Sequence, residues 1–487
     1  MRLRDHLTAA MSDHPGARVS GTGAVVTHAE LLTEAAAKTT VLASALPAGS
    51  RILLSTKNYP GYISSLLAVL ERGDLPILAD PGLSPREIGM LAEGCGIDAV
   101  ITDAADDPLP GTISVPLDDR SRLLPAPRRG PRPDLAPDTE IGRLTSGSTR
   151  TAACIEFSAA AVLAAATTWI AASGLTAADR CLCFAGLYNG LAFNTTLIPG
   201  LLVGADLILP SAPPTGGAIV RRVVSTRPTV LTAFPAAYER LSQLPDGNIT
   251  PSMRSALAAV RLRLSSAAPL DPAVAIRMTD LSGPICDYYG LAETGPVTFD
   301  SEPGAPGGKG RPLPGVTIDV RPRPSDGTEV LHVRTASMGT RYLNYPGEFE
   351  KSLGSDGSYI TSDTGSVADG RLRLGPRAGT TIDIGGRKFS PEAVRIPLLD
   401  HPGVVDCHVL QLTTPSGRAC VGALVEATAA LDTADLRAHL RGAVAEFKVP
   451  EVIVVGRLPR GTTGKVKSAE VRRLLTATFT SASGRTE

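Results

Sequence analysis

Two periods of apolar spacing alternate along the first hundred residues. Behind Thr27-His28-Ala29-Glu30, a capping box, residues 31–46 carry apolar side chains at helical spacing and predict a helix. Residues 51–55 (RILLS) form a short apolar run that reads as a buried strand, 62–71 read as a helix, and 75–79 as a second strand. Ser84-Pro85-Arg86-Glu87 joins an N-cap, a proline at the first helical position and a capping glutamate. That helix should stop near Gly94, before a strand at 98–102. Alternation of this kind predicts an α/β domain of layered parallel or mixed sheets and helices. Residues 106–137 hold eight prolines and read as an irregular connection. An extended stretch (140–144), an Ala-rich helix (159–173) with the only tryptophan, Trp169, and strands at 180–184 and 205–210 follow. Near the C-terminus a hairpin (404–412 and 418–425, turning at 414–417), a helix (435–446) and a strand (452–455) predict a small α+β unit.

Composition narrows the classes. A chain of 487 residues predicts two or more domains. Lys+Arg and Asp+Glu are both 48, so no net field recruits nucleic acid or an anionic membrane. The first residues lack the apolar core of a signal peptide. The longest nearly apolar run, 159–172, is interrupted by Thr167 and Thr168 and is too short for a membrane span. Seven cysteines with no C-x-x-C predict reduced thiols and a cytoplasmic protein, with Cys181 and Cys183 as buried side chains. Only 8 of the 48 basic residues are lysine, which together with abundant Ala, Arg, Gly and Pro fits a GC-rich bacterial genome.

The candidate chemistry starts at Thr145-Ser146-Gly147-Ser148-Thr149-Arg150, between an extended lead-in and a helix. Small hydroxylated residues let backbone N–H and side-chain O–H groups converge on phosphate oxygens. Taken alone, the segment reads better as a polar surface turn. It is not a Walker A loop, because no G-x-x-x-x-G-K-[ST] occurs. Further on stand Arg261 to Leu270 (RLRLSSAAPL), Asp287 to Gly295 (DYYGLAETG), Gly308 to Pro314 (GKGRPLP), Tyr359 to Asp363 (YITSD), Gly375 to Gly379 (GPRAG) and Leu458 to Lys465 (LPRGTTGK).

In that order these segments resemble the signatures of the adenylate-forming superfamily, which includes acyl- and aryl-CoA synthetases, fatty acyl-AMP ligases and peptide-synthetase adenylation domains. The first resembles T-S-G-[ST]-T-G-x-P-K-G, with Arg150, Ala152 and Ala153 in place of its Gly, Pro and Lys. The resemblance implies a large adenylation domain over 1–378 and a small mobile domain over 379–487, hinged at Gly379, where glycine absorbs φ/ψ change. It implies that ATP is held by Thr145 to Arg150, by the small Ala267 and Ala268 against adenine, and by Tyr288, Tyr289, Gly290, Thr294, Asp363 and Arg377. Asp363 would accept the ribose hydroxyls. Glu293 would bind Mg²⁺, and Lys465 would be the catalytic cation. Tyr188, Asn189, Phe193, Phe234 and Gly290 are the candidate acyl pocket. Trp169 and Phe184 are further aromatics that read as pocket or core alike. No histidine lies between His28 and His332, so the family's active-site histidine is missing. Asn189 is the favoured substitute.

The implied reaction joins a carboxylic acid to AMP, releases pyrophosphate, and passes the acyl group to the phosphopantetheine thiol of CoA or a carrier protein. A role in specialised bacterial biosynthesis is expected. No insertion of the kind that hinders the second step in fatty acyl-AMP ligases stands between DYYGLAETG and GKGRPLP. A ligase that stops at the adenylate or uses an amine, and a non-catalytic nucleotide-binding relative, remain the alternatives. The acid and the oligomeric state are not legible.

Overall fold

The computed structural model describes the chain except Thr22, 106–108, 110–111, 127–131, 146–151, 211–214, 267–269, Asp271, 304–307, 325–328, 378–381, Ala429, 460–465, Lys467 and 483–487. It divides into two compact units. The first comprises residues 1–81, 93–144 and 154–378, the second 82–92, 145–153 and 379–487.

The first unit is built on two large sheets. In one, strands Cys286–Leu291, Leu262–Ser265, Val230–Ala233, Arg180–Cys183, Asp206–Ile208 and Arg18–Ser20 lie side by side and parallel. Antiparallel strands Gly295–Asp300 and Arg311–Pro312 flank one edge and Val25–Thr27 the other. In the second, Thr139–Leu144, Leu75–Leu78, Arg51–Ser55 and Ala99–Thr102 are parallel, and Cys154–Ser158 adds antiparallel to Thr139–Leu144. The expected parallel arrangement therefore holds at both sheet centres and gives way to antiparallel edges. Every residue of Arg51–Ser55, Leu75–Leu78 and Ala99–Thr102 is buried, as strands covered on both faces require. The helix Pro60–Glu71 (PGYISSLLAVLE) is buried from Pro60 to Leu70. A helix apolar all round belongs inside a core.

Local signals act as read. Thr27 accepts from the Glu30 N–H and Glu30 reaches back to Thr27, opening the helix His28–Ala45. Ser158 caps Ala159–Ser173, and Gly174 ends it at φ +62°. The connection 106–137 is a correction: it contains strands Val115–Pro116 and Arg122–Pro125, which extend the second sheet antiparallel beyond Ala99–Thr102. Leu123 and Leu124 are fully buried, so apolar burial overrides the proline count; Pro116 lies in the edge strand, where proline is tolerated, and Pro125 ends its neighbour. The stretch after Asn189 is a short α-turn, Gly190–Ala192, then a π-helical turn, Phe193–Leu197, and the helix Ile198–Val203.

In the second unit, Val404–Thr413 and Ala419–Ala427 form the expected hairpin, and Val452–Val455 adds parallel to Ala419–Ala427. The helix expected at 435–446 spans Thr433–Arg441, because Gly442 ends it, and a 3₁₀ turn follows at Glu446–Lys448. All seven cysteines are buried free thiols. Among the described residues no helix is long and apolar enough to cross a membrane.

Candidate active site

The site in the first unit is built at one β-hairpin. Strand Cys286–Leu291 pairs with Gly295–Asp300 through a bulge at Tyr289/Gly290. Glycine is required twice. A Cβ on Gly290 would lie 2.6 Å from the Gly295 carbonyl oxygen, and Gly295 adopts φ +71°. This tight turn carries Glu293 at its tip and buries Thr294 completely. The Gly339 N–H donates to the Glu293 carbonyl (2.8 Å) and Ser337 Oγ donates to the Thr294 carbonyl (2.8 Å), fixing the tip from the neighbouring loop.

Asp363 is brought to this hairpin from 74 residues away. Tyr289 Oη donates to its Oδ2 at 2.7 Å, and both residues are buried. The Asp363 N–H donates to Thr361 Oγ1 (3.0 Å), which explains the threonine of YITSD. Asp363 begins strand Asp363–Ala368 and pairs in register with Arg377, whose backbone closes strand Arg371–Arg377.

Glu293 has a partner that sequence reading missed. Tyr342 Oη donates to Glu293 Oε1 at 2.8 Å and lies 3.2 Å from Tyr359 Oη. Burial, and then the Glu293 charge, push the Tyr342 phenol far above its ordinary range, so it remains a donor. Tyr342 stands in Arg341–Tyr342, a two-residue strand paired with Cys154–Ser158, with no local motif to reveal it.

Strand alternation turns Tyr288 away from Tyr289. Expected beside the nucleotide, Tyr288 is instead buried edge-on against Trp169 (ring centroids 5.7 Å apart), and its hydroxyl accepts from Asn194 Nδ2 at 3.5 Å. Burial raises its pKa to about 12. Trp169 is core, with its indole N–H donating to the Thr195 carbonyl (3.0 Å). Phe193 is also fully buried, whereas Tyr188, Phe184 and Phe234 are half-buried at core margins. Asn189 Oδ1 accepts from the Leu191 N–H (2.9 Å), capping the short helix, and among the described residues no hydrogen bond engages its amide Nδ2. Arg143, which the sequence reading passed over, lies buried near Tyr288 and Phe193.

Thr145 belongs to the second unit, where its N–H donates to the Ala153 carbonyl (2.8 Å) and its Oγ1 accepts from the Ala153 N–H (3.0 Å). These bonds join the two described residues that flank the hydroxyl-rich segment. Ser146, Gly147, Ser148, Thr149, Arg150, Ala267, Ala268, Gly379 and Lys465 lie outside the described residues, as does the Arg377 side chain.

Residues 7–343 match the family described as AMP-binding enzyme. The chain is 28% identical to feruloyl-CoA synthase of an Amycolatopsis species, over 96% of this chain and 97% of that protein. It is also 28% identical to p-hydroxybenzoic acid–AMP ligase FadD22 of Mycobacterium tuberculosis, over 92% of this chain and 65% of that one. Among solved structures, a double mutant of o-succinylbenzoate CoA synthetase (MenE) from Bacillus subtilis superposes with a TM-score of 0.81 at 18% identity, covering 97% of this chain and 98% of that chain. At that identity the likeness is one of fold.

Proposed function

Because the chain belongs to the AMP-binding enzyme family, we propose that it activates a carboxylic acid with ATP and then transfers the acyl group to a phosphopantetheine thiol of CoA or of a carrier protein. The relatives' names support this reading: one forms a CoA thioester of an aromatic acid, the other an aryl-AMP. The observation that carries it is the Tyr289–Asp363 hydrogen bond, which joins the DYYGLAETG and YITSD segments into one polar corner beside Glu293.

In the first step a carboxylate oxygen attacks the α-phosphorus of ATP, the bond to the pyrophosphate oxygen breaks, and acyl-AMP forms. In the second, a thiol sulfur attacks the acyl carbon and AMP leaves. Two anions meet in the first step, so positioned positive charge and donors must face the developing charge. Asp363 accepts the ribose hydroxyls with Tyr289 orienting its carboxylate. Lys465 bridges carboxylate and α-phosphate, and Thr145 and the loop after it hold phosphate oxygens, with Arg150 standing where the family has glycine. Gly379 is the hinge between domains 1–378 and 379–487.

Mg²⁺ fits at Glu293. This half-buried carboxylate is oriented by Tyr342, and a magnesium ion takes one or two carboxylates together with substrate phosphates. When bound, the ion would neutralise charge on the phosphates.

Pyrophosphate exchange in the presence of Mg²⁺, ATP and a panel of carboxylic acids tests the first step. Thioester formation from the best acid with CoA and with a phosphopantetheinylated carrier protein tests the second. Exchange that depends on a carboxylic acid is the expected result. ATP binding without exchange for any acid would identify a non-catalytic relative, and exchange with transfer only to amines would identify an amide-forming enzyme.

A further inference from the structure

We propose that Arg143 determines which acid this enzyme takes, by binding an anionic group that the substrate carries in addition to the carboxylate that is activated. The proposal rests on the acid-activating reading above. Arg143 is the penultimate residue of strand Thr139–Leu144 and is 5% exposed. Its guanidinium lies over the rings of Phe193 (4.9 Å) and Phe157 (5.3 Å). Nε is buried without a hydrogen-bond partner, and among the described residues no carboxylate forms an ion pair with this side chain. The Tyr62 hydroxyl, fully buried on helix Pro60–Glu71, likewise has no partner and lies within the field of Arg143.

Burial lowers the Arg143 pKa to about 10, against the opposing influence of Tyr288, Tyr62 and Glu293, so the group stays protonated at neutral pH. A buried guanidinium without a counter-ion is strongly unfavourable unless a ligand supplies the anion. Its planar fork suits a carboxylate, which it can engage with two parallel N–H donors. Its surroundings are shaped around it. A Cβ on Gly190 would stand 2.6 Å from Nη2, so glycine there is what admits the guanidinium. Asn189, the preceding residue, accepts the Leu191 N–H with its oxygen and offers its amide donor to an acceptor.

The side of the strand decides which group binds. Tyr289 faces Asp363, where the nucleotide is placed, whereas Tyr288 faces Trp169 and the field of Arg143. The carboxylate to be activated must meet the nucleotide. Arg143 lies on the Tyr288 side and, although the Glu293 charge reaches it, forms no ion pair among the described residues, so it is left to serve the opposite end of the acid.

Two matched pairs of acids test this: benzoate against benzene-1,3-dicarboxylate, and hexanoate against hexanedioate. Pyrophosphate release is followed for wild type, Arg143→Met and Arg143→Lys, and thermal melting of each protein is measured with each acid in the absence of ATP. Wild type should favour the dicarboxylic member of at least one pair by roughly tenfold or more in kcat/KM, and that ratio should collapse in Arg143→Met, because a site built for a polar group rejects the analogue lacking it. Arg143→Lys should keep part of the ratio. The dicarboxylate should raise the melting temperature of wild type but not of Arg143→Met. The proposal is overturned if wild type uses both members of each pair equally. It is also overturned if Arg143→Met keeps the wild-type ratio, or melts lower with an unchanged acid profile, the mark of a structural arginine. If no acid releases pyrophosphate, the acid-activating reading fails. A dicarboxylate-specific melting shift abolished in Arg143→Met would still uphold the anion site in that case, and its absence would overturn the site.

Discussion

Asp363 shows how a single side chain in this protein is prepared for its work. Its N–H is held by Thr361 and its carboxylate by the Tyr289 phenol, so little orientation is left to arrange when a nucleotide binds. Asp363→Asn should lower kcat/KM for ATP by roughly 10- to 100-fold, the scale of a lost hydrogen bond to a charged group. With 2′,3′-dideoxy-ATP the substitution should add little further loss, because the ribose hydroxyls that Asp363 is proposed to bind are already gone. Equal losses on both nucleotides would place Asp363 elsewhere in the mechanism. Lys465→Ala should reduce acid-dependent pyrophosphate exchange by about 10²–10³, the effect of removing one donor from a developing charge, and wild-type exchange in that variant would refute its role. Glu293, Asp363 and Lys465 are proposed from the sequence because each stands in a dense local motif. Tyr342 and Arg143 are not, because their meaning comes from what lies across a sheet: Tyr342 pairs with residue 155 and Arg143 packs against residues 157 and 193.

At the scale of elements, the helix His28–Ala45 combines a signal that can be read with one that cannot. Its capping box is local and acts as the sequence implies. Lys38, ten residues on, would be assigned to solvent by residue type, yet it is 1% exposed. Its ammonium donates to the Gly61 carbonyl, Ser64 Oγ and Ser65 Oγ (3.0 Å each) and to Asp118 Oδ2 at 2.5 Å. Burial works against ionisation of Asp118, but Lys38 and backbone donors hold its pKa at about 2. Asp118 comes from the connection read as irregular, which here supplies the counter-ion for a buried cation. Asp118→Asn should destabilise the protein by about 1.5–3 kcal/mol in urea denaturation, because it removes the nearer of the ammonium's two carboxylates and leaves only the more exposed Glu34 at 3.1 Å. Adding Lys38→Met should recover most of that loss. If Asp118→Asn alone is neutral, the pair is not holding helix, connection and sheet together.

Across the first unit as a whole, stability is tied to pH through His28, which is buried with both ring nitrogens unpartnered. Burial, reinforced by nearby His14, lowers its pKa from 6.5 to about 4. The unfolded chain therefore takes up a proton near pH 6.5 that the folded chain refuses until about pH 4. Stability is complete above pH 6.5 and falls as pH drops toward 4, by about 3 kcal/mol over that window. Unfolding free energies from urea melts at pH 7.5, 6 and 4.5 should show this slope, and His28→Leu should flatten it. An unchanged slope in that variant would assign the acid sensitivity to other groups.

The order of strands and helices, the caps, the glycine turns and the chemistry-bearing segments are properties of neighbouring residues, so the sequence by itself determined them. Hydrophobic period, hydroxyl caps and positive-φ glycines act over a few residues and need no folded context. The edge strands inside 106–137, the core placement of Trp169 and Phe193, the Tyr342 hold on Glu293 and the stranded charge of Arg143 were decided only by tertiary structure. Burial and partnership depend on which distant segments the sheets bring together, and a dielectric environment does not exist until they have done so.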